Sequence, residues 1–271
     1  MSGARVYCKP EFFGPTSSYK DRIAPVLVNN ALRDGFKKIA VVSSGNFGLA
    51  VAHASKKAGL ECTVLCLSSV LSVYKDAIAF EGAEISFFGD SEAAFKELEQ
   101  RVNSGYFSAS AKFSERAFKD PPGIEDYGTI STEIIEQLGK APDFVITPSA
   151  YGDGATGMLN AFIKMKNERI IERVPRFVLT RAHESEDDIV YSITTNRTTP
   201  QVEFVLRESN GMSLYFSESD YLEGQKILKK ECDLAAEVSS GGIVSALRKL
   251  TEEKTLSEKS AVVTILTAGQ R

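Results

Sequence analysis

The sequence predicts an α/β protein of two domains, with open, twisted parallel sheets flanked by helices. Short apolar runs typical of buried strands alternate with helical segments, and the connections between them are short. Such alternation favours parallel sheets covered on both faces, joined by right-handed crossovers. An irregular stretch, 105–123, with scattered aromatic residues and a Pro-Pro-Gly sequence, separates two series of this kind. Two folding units are therefore expected.

The first predicted strand covers 4–8 and precedes a helix over 23–33. A buried strand ends with the apolar run 39–42, and a helix rich in small residues follows over 49–58. The remaining strands are predicted over 61–67, 84–88, 144–147, 176–180 and 261–266. The remaining helices are predicted over 70–81, 91–102, 124–138, 158–166, 219–231 and 241–253.

Two stretches lack periodicity. The polar, Thr-rich segment 185–203 is predicted to lie on the surface. The charged stretch 181–188 is predicted to form a solvated loop, with contact to a substrate as the alternative. From the position of the irregular stretch we expect a smaller domain, 35–115, inserted into a larger one that combines 1–34 with 116–271.

Composition and charge argue against a nucleic-acid-binding, membrane or metal-binding protein. The chain has 271 residues, of which 43% are hydrophobic and 25% charged, and its net charge is -4. This balance gives no electrostatic basis for binding nucleic acid or a membrane surface, and no apolar run is long enough to span a bilayer. Because the N-terminus also lacks a signal pattern, a cytoplasmic protein is expected. The four cysteines lie in or beside apolar runs and are predicted to be reduced core thiols. This interpretation is favoured over a metal site because the chain has two histidines.

The segment 14–22, Gly-Pro-Thr-Ser-Ser-Tyr-Lys-Asp-Arg, places Lys20 at a turn from strand to helix. Ser and Thr before a helical run are candidate N-caps, and the amides of a first helical turn can bind an anion. A simpler interpretation is a capped helix with a solvated Lys-Asp-Arg face. The segment alone leaves both open.

Two glycine-containing turns, 43–48 and 152–157, each follow an apolar strand and precede a helix. The second has three glycines in six residues and is the better phosphate cradle. It lacks the Lys-Ser/Thr ending of a nucleotide-binding P-loop and the spacing of the dinucleotide fingerprint. Taken singly, a glycine-rich turn of this kind is more often a tight connection than a ligand site.

The order of these features is more specific. Lys20, the 43–48 turn, the 152–157 turn and the Thr-Ala-Gly sequence from Thr267 all follow predicted strands, at the end of the sheet where α/β proteins bind ligands. An amine, an amide, a phosphate cradle and a hydroxyl together suit pyridoxal 5'-phosphate, which forms a Schiff base with an amine.

Four segments carry a resemblance to a known family. The sequence 15–22 is similar to the Pro-Thr-Gly-Ser-Phe-Lys-Asp-Arg motif of fold-type II pyridoxal-phosphate enzymes, the tryptophan synthase beta superfamily. Ser-Ser-Gly-Asn at 43–46 matches the asparagine loop, and 124–130 and 266–269 resemble the Ile-Glu-Gly-Gln-Lys-Thr-Ile and Leu-Thr-Gly segments of the threonine-synthase-like branch. The resemblance covers nearly the whole chain and implies a cofactor that lies between two domains.

The resemblance also implies residue roles. Lys20 forms the Schiff base with the cofactor and, once released by the substrate, acts as the base at Cα. Asn46 binds the 3'-oxygen of the ring, and Thr267 meets the pyridine nitrogen. The phosphate is held by backbone N–H groups of Gly152, Asp153, Gly154, Ala155 and Thr156. The substrate carboxylate is held by backbone donors of Ser43, Ser44 and Gly45.

The function implied is a pyridoxal-phosphate-dependent lyase that acts on a small amino acid by β- or γ-elimination or replacement. Conversion of O-phosphohomoserine to threonine is the first expectation. A serine/threonine dehydratase, a β-replacement enzyme of the cysteine-synthase type and a non-catalytic, cofactor-binding homologue that acts as a partner or regulator are the alternatives. The family usually forms homodimers, so a homodimer is expected.

Some positions depart from the family motifs. Ser17 and Tyr19 replace Gly and Phe, Asp153 lies in the phosphate loop, and the chain starts just before the lysine motif. A carboxylate about 4 Å from a phosphate would repel it by roughly 4 kcal/mol per charge pair at an effective dielectric constant of 20. We therefore predict that the Asp153 side chain turns away from the phosphate and caps the helix that begins near Ala155.

Overall fold

The computed structural model describes residues 3–110, 123–182, 193 and 198–271. By its contacts the chain divides into two compact units. The smaller unit is Gly14–Asp126, and the larger unit combines Met1–Phe13 with Tyr127–Arg271.

The strands are β1 (Arg5–Pro10), β2 (Lys38–Val42), β3 (Glu61–Leu67), β4 (Glu84–Phe88), β5 (Phe107–Ser108), β6 (Phe144–Pro148), β7 (Arg176–Arg181), β8 (Met212–Tyr215) and β9 (Ala261–Leu266). The α-helices are α1 (Ala24–Arg33), α2 (Asn46–Ala58), α3 (Ser72–Phe80), α4 (Ser91–Asn103), α5 (Gly128–Leu138), α6 (Asp153–Asn167), α7 (Pro200–Glu208), α8 (Glu218–Cys232) and α9 (Gly242–Glu252).

The smaller unit is built on a parallel sheet with the strand order β4-β3-β2-β5. The apolar runs of β2 and β3 form its centre, where Ala40 and Leu65 are completely buried. These two residues pack with Ala94 and Leu98 of α4, which lie one helical turn apart on the face that covers the sheet. On α1 the buried positions recur at helical spacing, and this helix packs against α2.

The larger unit is built on a parallel sheet with the order β1-β9-β6-β7-β8. All six residues of β9 are buried, because the strand lies between β1 and β6. Ile146, Val178 and Val262 of this sheet share a core with Ile243 and Leu250 of α9. Parallel sheets flanked by helices in both units confirm the predicted fold class.

The domain boundaries predicted at 34/35 and 115/116 differ from the division by contacts. Because α1 packs against α2, the structure groups residues 14–34 with the smaller unit. Sequence patterns do not report packing of this kind. Most of the segment 185–203 lies outside the described residues.

Two of the four predicted core thiols are on the surface. Cys62 and Cys66 are buried in β3, whereas Cys8 and Cys232 are exposed, so the prediction is wrong for the latter pair. Cys8 lies on the edge strand β1, and Cys232 is the last residue of α8. Within the described residues, the helices are too short or too polar to cross a membrane.

Candidate functional site

The lysine motif forms a braced turn in the smaller unit. Lys20 lies in a single 3-10 turn, Tyr19–Arg22, that precedes α1. The Ser18 hydroxyl accepts a hydrogen bond from the Lys20 N–H at 3.3 Å, which satisfies the predicted capping role. The Asp21 carboxylate accepts from both the N–H (2.9 Å) and the hydroxyl (2.5 Å) of Thr16. The backbone on each side of Lys20 is therefore fixed by side chains.

The Lys20 amine lies beside two aromatic rings, 4.8 Å from the ring centroid of Tyr19 and 5.3 Å from that of Phe47. Phe47 directly follows Asn46 at the start of α2. Thus the lysine expected to carry the cofactor and the asparagine expected to bind its ring oxygen are neighbours in one unit. The aromatic rings hold the amine in place through cation-π attraction.

The turn before α2 is held by hydroxyl groups. The Ser44 hydroxyl accepts from the N–H of Leu67 at 2.7 Å, and the Ser43 hydroxyl accepts from the N–H of Gly45 at 3.3 Å. Both serine side chains thus support the turn itself as acceptors.

Buried groups from the neighbouring strand pack against the same turn. A Cβ on Gly48 would lie 2.8 Å from Cγ1 of Val64 and 3.1 Å from the Ser43 carbonyl oxygen, so only glycine fits where α2 starts over β3. Burial raises the pKa of Cys66 to about 11, and its neutral thiol donates to the Ser43 carbonyl. The turn therefore lies tightly against β3.

Asn46 has a partner that the sequence did not indicate. The phenol of Tyr74, on α3, donates to Oδ1 of Asn46 at 3.2 Å. Tyr74 is 4% exposed.

The larger unit contains the glycine-rich turn. Gly152 has a φ of 96°, in the left-handed region that favours glycine, and it is the N-cap of α6. The first i to i−4 hydrogen bond of the helix runs from the Thr156 N–H to the Gly152 carbonyl at 2.8 Å. The amides at 153–155 precede this bond and so belong to the helix end that attracts anions. The Thr156 hydroxyl is buried and has no hydrogen-bond partner in the described part of the chain.

A second helix start braces this turn. The Thr199 hydroxyl caps α7 and also donates to the Tyr151 carbonyl at 2.5 Å. A Cβ on Gly152 would lie 2.9 Å from the backbone nitrogen of Val202. The glycine-rich turn therefore packs directly against α7, a helix that was not predicted.

The predicted capping role of Asp153 is wrong. The N-cap of α6 is Gly152, and no side-chain hydrogen bond caps the helix. Asp153 is instead the first helical residue and follows the left-handed Gly152, so the helix begins two residues before Ala155 and five before the predicted helical run 158–166.

Arg181 is also placed differently from expectation. It ends β7 and is 1% exposed, not part of a solvated loop. Its guanidinium donates to the Tyr215 hydroxyl at 2.8 Å and to the Ala150 carbonyl at 3.3 Å. A buried positive charge therefore lies next to the glycine-rich turn. Residues 183–188 of the predicted loop lie outside the described part of the chain.

Thr267 follows β9 and is 7% exposed. In the register of β6 and β9, Ile146 is opposite Thr264, and Ser149 and Thr267 each follow that pair by three residues. The threonine and the glycine-rich turn therefore extend from neighbouring strand ends in the larger unit. Ser240, in the segment that packs near these strands, also has a buried hydroxyl without a partner among the described residues.

The smaller unit has the Lys20 amine near the start of α2, and the larger unit has a left-handed glycine at the start of α6, a buried hydroxyl and a buried arginine. A helix N-terminus that follows a parallel strand in this way is typical of α/β proteins that bind a phosphorylated ligand. The family model for pyridoxal-phosphate dependent enzymes matches residues 1–268, and the chain belongs to this family.

Individual proteins agree with this assignment. A threonine synthase of Mycobacterium bovis is 23% identical over 283 residues, which cover 99% of this chain and 78% of that protein. The 2-amino-4-ketopentanoate thiolase beta subunit of Acetoanaerobium sticklandii is 30% identical over 175 residues, 60% of this chain and 36% of that subunit. The structure of the processed form of threonine deaminase isoform 2 from Solanum lycopersicum is 17% identical, with a TM-score of 0.81, and the match covers 99% of this chain and 80% of that one.

These findings confirm the predicted family, its fold type and its cofactor, pyridoxal phosphate. The residues in the larger unit fit the phosphate group: a left-handed glycine, the amides of a first helical turn and the unpartnered hydroxyl of Thr156.

The contacts made by Tyr74, Thr199 and Arg181 were not predicted. Each joins elements distant in sequence, and only the Thr-Pro start of α7 carries a local signal.

Proposed function

We propose that this chain is a pyridoxal-phosphate-dependent lyase that acts on an amino acid by β- or γ-elimination or replacement. Its first substrate candidate is O-phosphohomoserine, with threonine as the product. The observation that carries the proposal is the position of Lys20, whose amine lies 5.3 Å from the ring of Phe47, the residue after Asn46. The match to threonine synthase over 99% of the chain supports this substrate class.

In this proposal Lys20 carries the cofactor and later moves the proton at the substrate Cα. Asn46 donates to the ring oxygen, and the backbone of 43–45 orients the substrate carboxylate. The phosphate cradle is formed by Gly152, Asp153, Gly154, Ala155 and Thr156. The bound cofactor supplies the electron sink for the reaction.

Thr267 favours elimination or replacement over transamination. We propose that its hydroxyl meets the pyridine nitrogen. A neutral hydroxyl stabilises a protonated ring less than a carboxylate would, so negative charge from the substrate delocalises less completely into the ring. The buried position of Thr267 at the end of β9 supports this role.

Three alternatives are retained. A serine/threonine dehydratase would release a keto acid and ammonia, and the fold shared with threonine deaminase is compatible with this chemistry. An enzyme of the cysteine-synthase type would replace a β-substituent with a sulfur nucleophile. A homologue that binds the cofactor without turnover would act as a partner or regulator. We also expect a homodimer and a cytoplasmic location, as in the sequence-based prediction.

The test combines cofactor labelling with a substrate panel. Borohydride reduction of the loaded protein and peptide mapping should place the label on Lys20. The protein is then incubated with O-phosphohomoserine, serine, threonine, and O-acetylserine plus sulfide, and phosphate, threonine, keto acid and cysteine are measured. Phosphate release with equimolar threonine supports the proposal.

Lys96 provides the matched control, because it is exposed on α4 of the same unit. Lys20→Ala should abolish labelling and turnover, whereas Lys96→Ala should retain both. A label on another lysine contradicts the assignment of Lys20. Keto acid or cysteine as the main product favours one of the two enzyme alternatives, and cofactor binding without turnover favours the non-catalytic homologue.

A further inference from the structure

We propose that Tyr74 is a positioning residue, which supplies a hydrogen bond to Oδ1 of Asn46 while the Asn46 NH₂ group donates to the ring oxygen of the cofactor. This inference rests on the proposed function, in which Asn46 contacts the cofactor. It adds a role for a residue outside the recognised motifs, 28 positions further along the chain.

The contact is well placed for this role. Tyr74 is 4% exposed, and its phenol lies 3.2 Å from Oδ1 of Asn46. Asn46 is the first residue of α2, and α3 packs against that helix. A contact between two packed helices holds the phenol in one position relative to the carboxamide.

The chemistry of the Asn46 carboxamide explains why a hydrogen-bond donor is needed at Oδ1. An asparagine side chain has one end that donates and one that accepts, and the two have almost the same shape. The phenolic oxygen of the cofactor ring needs donors. When NH₂ faces this oxygen, Oδ1 faces the opposite way and needs a donor of its own. The Tyr74 phenol provides one, and a phenylalanine at this position cannot.

Removal of the phenol should therefore weaken cofactor binding through Asn46. A neutral hydrogen bond contributes about 1 kcal/mol net, so an affinity loss of about three- to tenfold is expected. The visible absorption band of the bound cofactor should shift in the same direction as in Asn46→Ala, since both changes weaken the hydrogen bond at the ring oxygen.

A double-mutant cycle separates this role from a merely structural one. Pyridoxal-phosphate affinity is measured by titration of the apo form of the wild type, Tyr74→Phe, Asn46→Ala and the double variant. We expect a three- to tenfold loss for Tyr74→Phe alone and no further loss when it is added to Asn46→Ala. An equal loss in both backgrounds, or none in either, overturns the inference.

Tyr106→Phe is the matched control, because its phenol accepts from Arg101 at 3.2 Å in the same unit. It should bind the cofactor within twofold of the wild type. Asn46→Asp is informative if Tyr74→Phe folds poorly: it keeps an acceptor for the phenol, removes the NH₂ donor and adds a negative charge. Asn46→Asp should lose at least as much affinity as Asn46→Ala, and wild-type affinity in this variant contradicts the inference. If the wild type itself does not bind the cofactor, the proposed function fails, whereas binding unaffected by Tyr74→Phe refutes only the role of Tyr74.

Discussion

Gly152→Ala tests the structure of the phosphate cradle most directly. Gly152 has a φ of 96°, and a methyl group there would lie 2.9 Å from the backbone nitrogen of Val202 and 3.0 Å from Cβ of Gln201. Contacts with a backbone atom cannot be relieved by a side-chain rotation. Either the glycine-rich turn or the start of α7 must move.

Gly139 is a close match for comparison. It also has a left-handed φ, 69°, at the end of α5 in the same unit, but an added Cβ would meet nothing within 4 Å. Gly139→Ala should therefore cost only the backbone strain, about 1–2 kcal/mol. Gly152→Ala should cost that strain and a further 1–3 kcal/mol, roughly, from overpacking.

The assay compares the free energy of unfolding in urea for the apo forms, followed by titration with pyridoxal phosphate. Gly152→Ala should be less stable than Gly139→Ala by about 1–3 kcal/mol. It should also bind the cofactor at least about tenfold more weakly, because the amides at 153–155 shift with the turn. Equal stability losses would refute the packing of the turn against α7. Unchanged cofactor affinity in Gly152→Ala would refute the cradle.

Three further predictions concern Thr267, the ion pair of Glu84 with Arg101, and the buried cysteines. Thr267→Val should reduce cofactor affinity or rate by about five- to 150-fold, because a buried acceptor that loses its donor costs about 1–3 kcal/mol. Borohydride should still label the protein, and unchanged affinity and rate would remove Thr267 from the site. The Arg101 guanidinium holds the pKa of Glu84 below its ordinary value of 4.5, so Glu84 contributes stability that is present above that pH and is lost as pH falls through the lowered pKa. Glu84→Gln should accordingly be less stable than the wild type at pH 7 and equally stable near pH 2 in urea unfolding, and a difference independent of pH contradicts this. Burial raises the pKa of Cys62 to about 12 and that of Cys66 to about 11. A thiol reagent at pH 8 should therefore modify the exposed Cys8 and Cys232 in the folded protein, and Cys62 and Cys66 only after unfolding. Mass spectrometry counts the modified cysteines.

Local patterns predicted most of the fold because most elements carry their own signal. The apolar run of β3 and the small-residue helix α2 are recognisable without tertiary information. The strand β5 has only two residues, too few for any periodicity. The helix α7, which was not predicted, does carry a signal, since Thr199 caps it and Pro200 occupies its first turn. It was missed because its start lies in the polar segment 185–203, which lacks helical periodicity.

The candidate site also contains residues that local sequence patterns predict and contacts that they do not. Lys20, Asn46 and the turn at 152–156 belong to contiguous motifs, so the sequence alone places them at strand ends. The contact between Tyr74 and Asn46 depends on how two helices pack. The error at Asp153 concerns Gly152, the left-handed N-cap of α6, which packs against α7, a helix that was not predicted.

The pairing of β1 with β9 has a consequence for protein synthesis. The Thr264 hydroxyl donates to the Tyr7 carbonyl across 257 positions, and the strands pair from Arg5 to Pro10. On the ribosome, the contiguous Gly14–Asp126 unit is complete well before residues 261–266 are made, so it can fold during translation. Among the described residues β9 is the one strand that pairs with β1, so β1 cannot pair until residues 261–266 have been made. During that interval its unpaired backbone is open to chaperones and to other nascent chains.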